Sequence, residues 1–482
     1  MSLDEAAVSQ FVRSFSGVAF RPSDDGFDAA RAAAIWNGDI DRQPALLVQP
    51  ATSDEVAAVV RFARDHDAAV TVRGGGHGFS GKLVADGAIM IDLSRMNSVR
   101  VDAAARTAHV GGGAHWALVD AATAEHGLAV VGGTVSHTGV AGLTLSGGMG
   151  WLSRSQGLSC DNLLAATLVT ADGRTVTASA GEHPELFWGL RGAGANFGVV
   201  TEMVFALHEV NPMANLGMFF WSAPNATAPL RFARDYVREL PDGMSALVVG
   251  MSAPPAPFVP EEWQGATGFA IVVVSWGDAS DHASTIKPLQ DLDPQFELVT
   301  PIPYAALQQM LDDTAPWGVR GYDKGIYLDE LTDDVIDILV DIFPRKKAPL
   351  SFLPMFPLGG AFCAVADDAT AFGGSRHNQW SLAIAALAFD DESFQADKAW
   401  ARTLWTALRE HAPGDGTYVN FSSDRDEARL RASYGEKKYQ RLADLKKQWD
   451  PDNVFCNNAN IPPSGAVVPS PRSAEQPSRE RA

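Results

Sequence analysis

Cysteine is scarce in this chain: its 482 residues include only Cys160, Cys363 and Cys456, which lie far apart. No two of them form a CxxC pair, so their spacing predicts neither a disulfide framework nor a zinc cage. We therefore expect no metal site and a reducing compartment. Cys160 is interpreted as a small buried residue, and the other two have no partner that would make them nucleophiles.

Basic residues are also in deficit, with 38 Lys and Arg against 58 Asp and Glu and a net charge of −20. Such a surface repels phosphate backbones and anionic lipids, so neither nucleic acid nor a membrane is an expected partner. The first residues lack the basic and apolar regions of a signal peptide, and no run reaches the roughly 18 apolar residues that span a bilayer. We expect a cytoplasmic protein, and its oligomeric state stays open.

Apolar residues and glycine are abundant, at 46% of the chain and 44 residues respectively. A length of 482 residues predicts two to four domains, and the apolar content is enough for a core in each. Short apolar runs between glycine clusters fill residues 40–205, whereas longer apolar runs with Pro and Trp fill residues 206–410. This shift in pattern predicts a domain boundary near residue 205.

Local patterns predict an α+β fold. A capping box at Thr52 and Glu55 begins a helix over 53–66, and a β-branched strand over 68–72 then leads into a glycine loop. Asp450 and Pro451 end a last helix, which presents Tyr439 and Leu442 on one face. Further strands are predicted at 88–93, 106–110, 163–170, 174–178, 216–221, 246–251, 269–275 and 381–388, and helices at 228–239, 303–312 and 333–343.

Three glycine-rich segments carry the clearest functional signal: residues 73–81 (first glycine segment), 132–150 (second) and 191–201 (third). The first has five glycines in nine residues, which lets backbone N–H groups form a nest for a diphosphate, although a flexible surface loop is the alternative. The second is too long for one turn and suits backbone laid against a flat ligand. Three such segments in about 130 residues favour an extended dinucleotide site.

These segments, together with Asp161-Asn162, Tyr418-Val419-Asn420-Phe421 and Asp450-Pro451, resemble the vanillyl-alcohol-oxidase-type (PCMH-type) FAD-linked oxidases. The closest resemblance is to the berberine-bridge-enzyme-like branch, in a bacterial form. The resemblance implies an FAD-binding domain in two parts, with a substrate domain of antiparallel sheet and helices inserted between them. We therefore predict FAD-binding parts at 1–205 and 416–464, the substrate domain at 206–415, and a disordered tail at 465–482.

The resemblance also implies which residues hold FAD. His77 would form a covalent bond to the flavin 8α-methyl carbon, although a loop-capping role is the alternative. Some members carry a second link through a cysteine, but residues 134–137 contain none, so we expect a single link through His77 only. The other expected FAD-binding residues are Arg73, Gly74, Gly75, Gly76, Gly78, Phe79, Ser80, Gly81, Thr138, Gly139, Gly142, Gly147, Gly148, Gly198, Val200, Asn420, Asn458 and Asn460.

Tyr418 and His137 are the catalytic candidates. Tyr418 occupies the family position that faces the flavin, where it could accept the substrate proton, although a buried strand tyrosine is an equal alternative. His137 could bond the flavin or the substrate, or lie exposed in its loop. Polar and aromatic residues that could line the substrate pocket are Trp317, Tyr322, Lys324, Tyr327, Arg376, His377, Asn378, Gln379 and Trp380.

The expected activity is hydride transfer from a small or medium organic substrate to flavin N5, followed by reoxidation by O2 to give H2O2. The substrate stays open among alcohols, sugars, amines and phenolic or polyketide compounds. A flavin dehydrogenase that uses another electron acceptor is the first alternative. A flavin-binding protein without turnover is the second.

Overall fold

The computed structural model describes residues 3–424 and 427–466, so most of the predicted tail at 465–482 lies outside the described residues. The strands are β1 Val18–Phe20, β2 Leu46–Gln49, β3 Val70–Arg73, β4 Ile89–Asp92, β5 Val99–Asp102, β6 Thr107–Gly111, β7 Leu128–Ala129, β8 Leu163–Val169, β9 Thr175–Ser179, β10 Val199–Ala206, β11 His208–Glu209, β12 Met213–Ser222, β13 Met244–Ser252, β14 Thr267–Ser275, β15 Phe296–Pro303, β16 Arg320–Leu328, β17 Leu353–Leu358 and β18 Gln379–Ala388. The helices are α1 Glu5–Ser14, α2 Phe27–Ala34, α3 Ser53–Asp65, α4 Trp116–Ala124, α5 Val140–Thr144, α6 Ser153–Gln156, α7 Pro184–Ala193, α8 Thr227–Glu239, α9 Ala279–Gln290, α10 Tyr304–Gln309, α11 Asp333–Ile342, α12 Ala361–Ala364, α13 Asp391–Arg409 and α14 Glu427–Trp449.

The strands form two larger and two smaller sheets, which confirms the α+β class. A four-stranded sheet has the order β1-β2-β4-β3, with β2 and β3 parallel to β4, and a five-stranded antiparallel sheet has the order β5-β6-β10-β8-β9. The largest sheet is antiparallel with the order β15-β12-β14-β13-β17-β18-β16, and β7 pairs with β11. Within the described parts of the chain, each helix is too short or too polar to cross a membrane.

The predicted local signals around the first glycine segment are present in the structure. The Thr52 hydroxyl accepts a hydrogen bond from the backbone N–H of Glu55, so α3 begins where the capping box indicated. Its buried face packs Val56 and Val60 against the four-stranded sheet, and β3 then ends at Arg73. Helix α3 and strand β3 therefore fix the point at which the glycine loop leaves the sheet.

The seven-stranded sheet has two different faces because side chains alternate along each strand. One face packs on α8, α11 and α13, and the side chains buried there include Tyr322, Ile326 and Trp380. The opposite face carries residues of the other parity, among them Asp323 and Ala385, which line a cavity. Only this second face can present side chains to a ligand.

The strand that the sequence suggested around Tyr418 is wrong: residues 418–421 form a turn, in which the Phe421 N–H donates to the Tyr418 carbonyl oxygen at 2.9 Å. The β-branched and aromatic residues there are buried by tertiary packing and not by a sheet ladder. Residue Ser422 makes an isolated bridge with Lys324 of β16. Prediction also missed β16, whose two glycines and three charged residues hide its pattern, and the long helix α13.

A fully buried ion pair attaches the end of α14 to the third glycine segment. Lys446 Nζ donates to Asp450 Oδ2 at 2.6 Å, to the Asn196 carbonyl at 2.7 Å and to the Phe455 carbonyl at 3.0 Å. The Asp450 carboxylate also accepts the backbone N–H groups of Val454 and Phe455. Both charges are therefore compensated, as burial requires.

We expect Lys446→Met to lower the free energy of unfolding by about 3–5 kcal/mol, because it leaves the Asp450 carboxylate buried without its cation. Urea denaturation of the full chain would measure the loss. Lys447→Met, at the exposed neighbouring position, is the matched control. Equal stability of the two variants would contradict the structural role of the pair.

A second buried polar contact joins α4 to α10. Gln308 Nε2 donates to Asp120 Oδ2 and to the Gly133 carbonyl oxygen, each at 3.3 Å. Burial raises the pKa of Asp120 to about 7, and the nearby Asp312 adds to the rise while the hydrogen bond from Gln308 opposes it. The carboxyl group therefore holds its proton in the folded protein at pH values where the unfolded chain has lost it.

This raised pKa makes stability fall as pH rises from about 4 to about 7, because the folded state binds one more proton than the unfolded state in that window. We expect Asp120→Asn to gain about 2–3 kcal/mol relative to wild type between about pH 5 and about pH 8. Urea denaturation at both pH values measures the gain. Asp65→Asn, at an exposed site on α3, should show no comparable change.

Candidate active site

Two cavities lie along the glycine segments, on either side of α5. The apolar cavity has a volume of about 180 Å³ and lies between the first two glycine segments and the inner face of the seven-stranded sheet. The narrow cavity has a volume of about 120 Å³ and lies between β3, α5 and the third glycine segment. Leu143 lines the apolar cavity, whereas Ala141 and Gly142 line the narrow one, so the two are adjacent.

Backbone contact between the first two glycine segments shapes this groove. A Cβ on Gly75 would lie 2.2 Å from the Gly139 Cα, and a Cβ on Gly139 would lie 2.4 Å from the Gly75 nitrogen. Neither position therefore tolerates a side chain. Gly142 is different, because a Cβ there would meet nothing within 4 Å and would project into the open groove.

The expected cofactor residues divide into three sets. His77, Phe79, Thr138 and Asn420 line the apolar cavity. Gly74, Gly142, Gly198, Val200 and Asn458 line the narrow cavity. The residues that line neither cavity are Arg73, Gly75, Gly76, Gly78, Ser80, Gly81, Gly139, Gly147, Gly148 and Asn460.

Several residues of the third set stabilise the protein structure around the groove. Arg73 is buried, lies 3.4 Å from the Asp92 carboxylate and donates to the Gly74 carbonyl oxygen at 3.0 Å. Its contacts are therefore with the protein, and it stabilises the first glycine segment. Gly147 and Gly148 have φ of +130° and +95°, and a Cβ at either would collide with Phe372 or Ser159. These glycines are required by conformation and packing.

His77 lies in a cage of rings. It stacks on Trp36 with ring centroids 5.0 Å apart, and Trp317 approaches its edge at 5.6 Å. Its Nε2 lies 2.6 Å from His137 Nδ1. Burial lowers the pKa of His77 well below the ordinary value, and the neighbouring His137 and Arg73 lower it further. His77 is therefore a neutral imidazole at neutral pH.

Tyr418 is buried at the wall of the apolar cavity. Its hydroxyl oxygen accepts hydrogen bonds from the Gly148 N–H at 2.9 Å and from Asn420 Nδ2 at 3.0 Å. These donors favour the phenolate, yet burial outweighs them and raises the pKa of Tyr418 above its ordinary value. Tyr418 is therefore suited to donate its O–H proton and poorly suited to act as a base.

Asp323 is a cavity residue that the sequence did not reveal. It lines the apolar cavity with 1% exposure, and Ser423 Oγ donates to its Oδ1 at 2.6 Å. Its neighbours Tyr322 and Lys324 were expected at the pocket, but strand alternation turns them to the other face, where both bond Asp424. Side chains alternate between the two faces of a strand, so a strand over these residues would have indicated that Asp323 lies on the face opposite Tyr322 and Lys324.

The remaining pocket candidates lie elsewhere. Arg376 makes a bidentate pair with Asp161 at 2.8 Å, and His377 pairs with Asp329. Trp380 is buried on the helix-covered face, and Tyr327 donates to the Gly373 carbonyl oxygen. The aromatic residues that do line the apolar cavity are Trp36, Phe79, Phe352, Phe356 and Phe421.

The groove fits an extended dinucleotide such as FAD. Asn458 lines its narrow end, and the buried Oδ1 atom of this residue has no hydrogen-bond partner among the residues that the structure describes; the same holds for Asn460, two residues further along the chain. Such orphaned polar atoms require a partner, and a ribose or adenine group supplies one. At the other end, the rings and aliphatic side chains of the apolar cavity suit a flat aromatic system.

Comparisons with known proteins agree with this groove. The FAD binding domain family matches residues 44–179, and the berberine and berberine-like family matches residues 417–462. An FAD-linked oxidoreductase of Dictyostelium discoideum is 30% identical over 460 residues, which cover 95% of this chain and 97% of that protein. The chain belongs to the FAD-linked oxidoreductases. It is therefore an enzyme of the oxidoreductase class with an FAD-binding domain.

Three further similarities extend over nearly the whole oxidoreductase. The (R)-6-hydroxynicotine oxidase of Paenarthrobacter nicotinovorans is 30% identical over 496 residues, with 94% of this chain and 98% of that protein covered. The crystal structure of 6-hydroxy-D-nicotine oxidase from Arthrobacter nicotinovorans superposes with a TM-score of 0.82 at 29% identity, covering 93% and 98%. Glucooligosaccharide oxidase from Acremonium strictum, which carries 6-S-cysteinyl, 8α-N1-histidyl FAD, has the same fold at 21% identity, 95% and 99% coverage, and a TM-score of 0.82.

Gly142→Leu tests the position of the cofactor groove. Because a Cβ at this helical position meets no atom of the described residues within 4 Å, we expect a folded protein that has lost most of its FAD. The flavin absorbance per protein after gel filtration measures the loss. Gly277→Leu, at another open position far along the chain, is the matched control and should retain FAD. Full FAD occupancy in Gly142→Leu would place the cofactor elsewhere.

Proposed function

We propose that this oxidoreductase is an oxidase that takes a hydride from a carbon atom of an apolar, ring-containing substrate and passes the electrons to O2. The observation that carries this proposal is the chemistry of the apolar cavity. Aliphatic residues and five Trp and Phe rings form most of its wall, with His77, Asp323, Tyr418 and a few amide and hydroxyl groups as the polar positions. Such a wall binds ring systems by apolar burial and orients them with a few polar contacts.

Asp323 is the proposed proton acceptor. Oxidation of an alcohol, an amine or a carbon activated by a phenol removes a proton from the O–H or N–H group together with the hydride from carbon, so a base must face the substrate. Asp323 is a carboxylate in the cavity wall, and its hydrogen bond from Ser423 fixes its orientation. Tyr418, which keeps its own proton, would donate a hydrogen bond to the substrate or the flavin.

The wall also narrows the substrate class. A sugar would leave most of its hydroxyl groups without partners against aliphatic side chains, and each unsatisfied group costs binding energy. A cyclic amine or a phenolic compound buries its ring and places one polar group at Asp323. The similarity to an enzyme named (R)-6-hydroxynicotine oxidase supports the same choice. We therefore favour an aromatic alcohol, phenolic or cyclic amine substrate.

The proposal also includes the way in which FAD is attached, the domain division, the location and the source of the protein. FAD is proposed to be bound covalently through His77 only, because residues 134–137 offer no thiol and burial raises the pKa of the Cys160 thiol well above its ordinary value. The two-part FAD-binding domain with its boundaries near 205 and 416 stays a prediction. A cytoplasmic location and a bacterial source also stay predictions.

Asp323→Asn tests the assignment of the base. With a panel of aromatic alcohols, phenols and cyclic amines, we expect wild type to bleach its flavin anaerobically and the variant to do so about 10²–10⁴-fold more slowly. Asp329→Asn, just after the same strand but paired with His377 outside the cavity, is the control and should react like wild type. Rates within a few-fold of wild type in Asp323→Asn would exclude it as the base.

The electron acceptor needs its own measurement. A dehydrogenase that uses an acceptor other than O2 is the second candidate, since oxygen access depends on side chains beside the flavin. Stopped-flow mixing of the reduced protein with air-saturated buffer separates the two. Rapid return of the flavin absorbance with formation of H2O2 supports the oxidase, whereas slow return supports the dehydrogenase.

A further inference from the structure

Two histidines that are 60 residues apart in sequence meet at the apolar cavity. His77 Nε2 and His137 Nδ1 are 2.6 Å apart, a distance at which one nitrogen must carry the proton and the other must accept it. The second nitrogen of His137, Nε2, lies 3.5 Å from the backbone carbonyl oxygen of Asp312. The three groups form a continuous chain from the glycine loop to residue 312.

The chemistry of the chain decides where its protons lie. A carbonyl oxygen can only accept a hydrogen bond, so the 3.5 Å contact, although long, favours the tautomer of His137 with its proton on Nε2. In that tautomer His137 Nδ1 is the acceptor, and His77 donates from Nε2. The remaining nitrogen of His77, Nδ1, is left with an unprotonated lone pair. Because burial keeps His77 neutral, this lone pair is the nucleophilic form.

His137 is itself held in place by its surroundings. Its neighbour Ser136 donates to the Asp312 carboxylate through both its N–H, at 2.7 Å, and its hydroxyl, at 2.6 Å. This clamp fixes residues 136–137 against the segment that supplies the carbonyl group. Trp317 lies edge-on to both imidazole rings, with centroids 5.6 Å from His77 and 6.5 Å from His137. The other charged or titratable groups near His77 are Arg73 and His115.

We propose that His137 is a positioning residue that directs the covalent attachment of FAD to Nδ1 of His77 and accepts the proton that His77 releases. This inference rests on the proposed covalent link. As the Nδ1–C8α bond forms, a C8α–H bond breaks and the Nε2 proton of His77 passes to His137 Nδ1. The two electrons of the C–H bond enter the flavin ring and then reduce O2, which takes up the C8α proton and the proton from His77 as H2O2.

This role of His137 differs from both alternatives that the sequence suggested, which were a hydrogen bond to the flavin or the substrate, or an exposed position in its loop. A lone imidazole in water exchanges its proton between both nitrogens and offers each only part of the time. The hydrogen bond to His137 removes that ambiguity in the loop before FAD binds. Trp36 packs on His77, and Trp317 packs on both imidazole rings, so the pair is held together by ring contacts as well as by its hydrogen bond.

The test compares five full-length proteins: wild type, His137→Leu, His137→Asn, His77→Ala and His126→Leu. His137→Leu removes the acceptor, whereas an Asn Oδ1 can still accept the His77 proton in a hydrogen bond but cannot take it up. His77→Ala defines the signal without a covalent link, and His126→Leu, at an exposed site, is the matched control. Each protein is expressed with limited riboflavin and then incubated with FAD in air.

Flavin that stays with acid-precipitated protein gives the rate of attachment, and flavin released by acid gives the bound but unattached fraction. We expect His137→Leu to bind FAD and to attach it about 10²-fold or more slowly than wild type. His137→Asn should fall between them, and His126→Leu should match wild type. The flavinylated peptide of wild type should carry its link on Nδ1 when examined by NMR.

The outcomes separate this inference from the function that it rests on. If wild type attaches FAD and His137→Leu does so at the same rate, or if the link is on Nε2, the role of His137 is refuted while the covalent oxidase stands. If all flavin in wild type is released by acid, the covalent link itself fails and the role of His137 fails with it. If His137→Leu binds no FAD, the rate of FAD attachment in His137→Asn decides. An attachment rate in His137→Asn at or above that of wild type would also refute the role of His137.

Discussion

Direct contact between the backbones of Gly75 and Gly139 is the constraint on which the site depends. A single Cβ at either position would come within 2.5 Å of backbone atoms of the other, so the first two glycine segments can meet only without side chains. Their contact brings His77 beside His137 and aligns the wall of the groove with α5. The glycines therefore act as spacers that set where the polar side chains lie.

Buried polar contacts hold this pair of segments against the rest of the molecule. The Asn37 side chain donates to the carbonyl oxygens of Phe79 and Gly321 and accepts the N–H of Gly321, which ties the first segment to β16. The Lys446–Asp450 pair ties the third segment to the end of α14, because Lys446 Nζ also donates to the Asn196 carbonyl oxygen. Such fully satisfied groups are directional, so they select one arrangement where apolar packing alone would tolerate several.

The two cavities perform different tasks because their polar groups differ. The narrow cavity offers glycine backbone and asparagine amides, which suit the polar end of a dinucleotide. The apolar cavity offers aromatic rings, one carboxylate and a tyrosine held by two donors, which suit a reacting ring system. Burial shapes the chemistry further, since it keeps both His77 and Tyr418 uncharged.

The sequence by itself determined the α+β class, the three glycine segments, the FAD-linked family and most of the regular elements around β3, because these depend on local patterns that repeat over a few residues. Only the tertiary structure decided which face of β16 meets the cavity, since period-two alternation has two equivalent phases until one face packs on helices. For the same reason it placed Asp323 in the wall and turned Tyr322 away from it. The contact between His77 and His137, and the turn that presents Tyr418, are also tertiary outcomes, because they arise from residues 60 and 270 positions apart whose pairing no local pattern encodes.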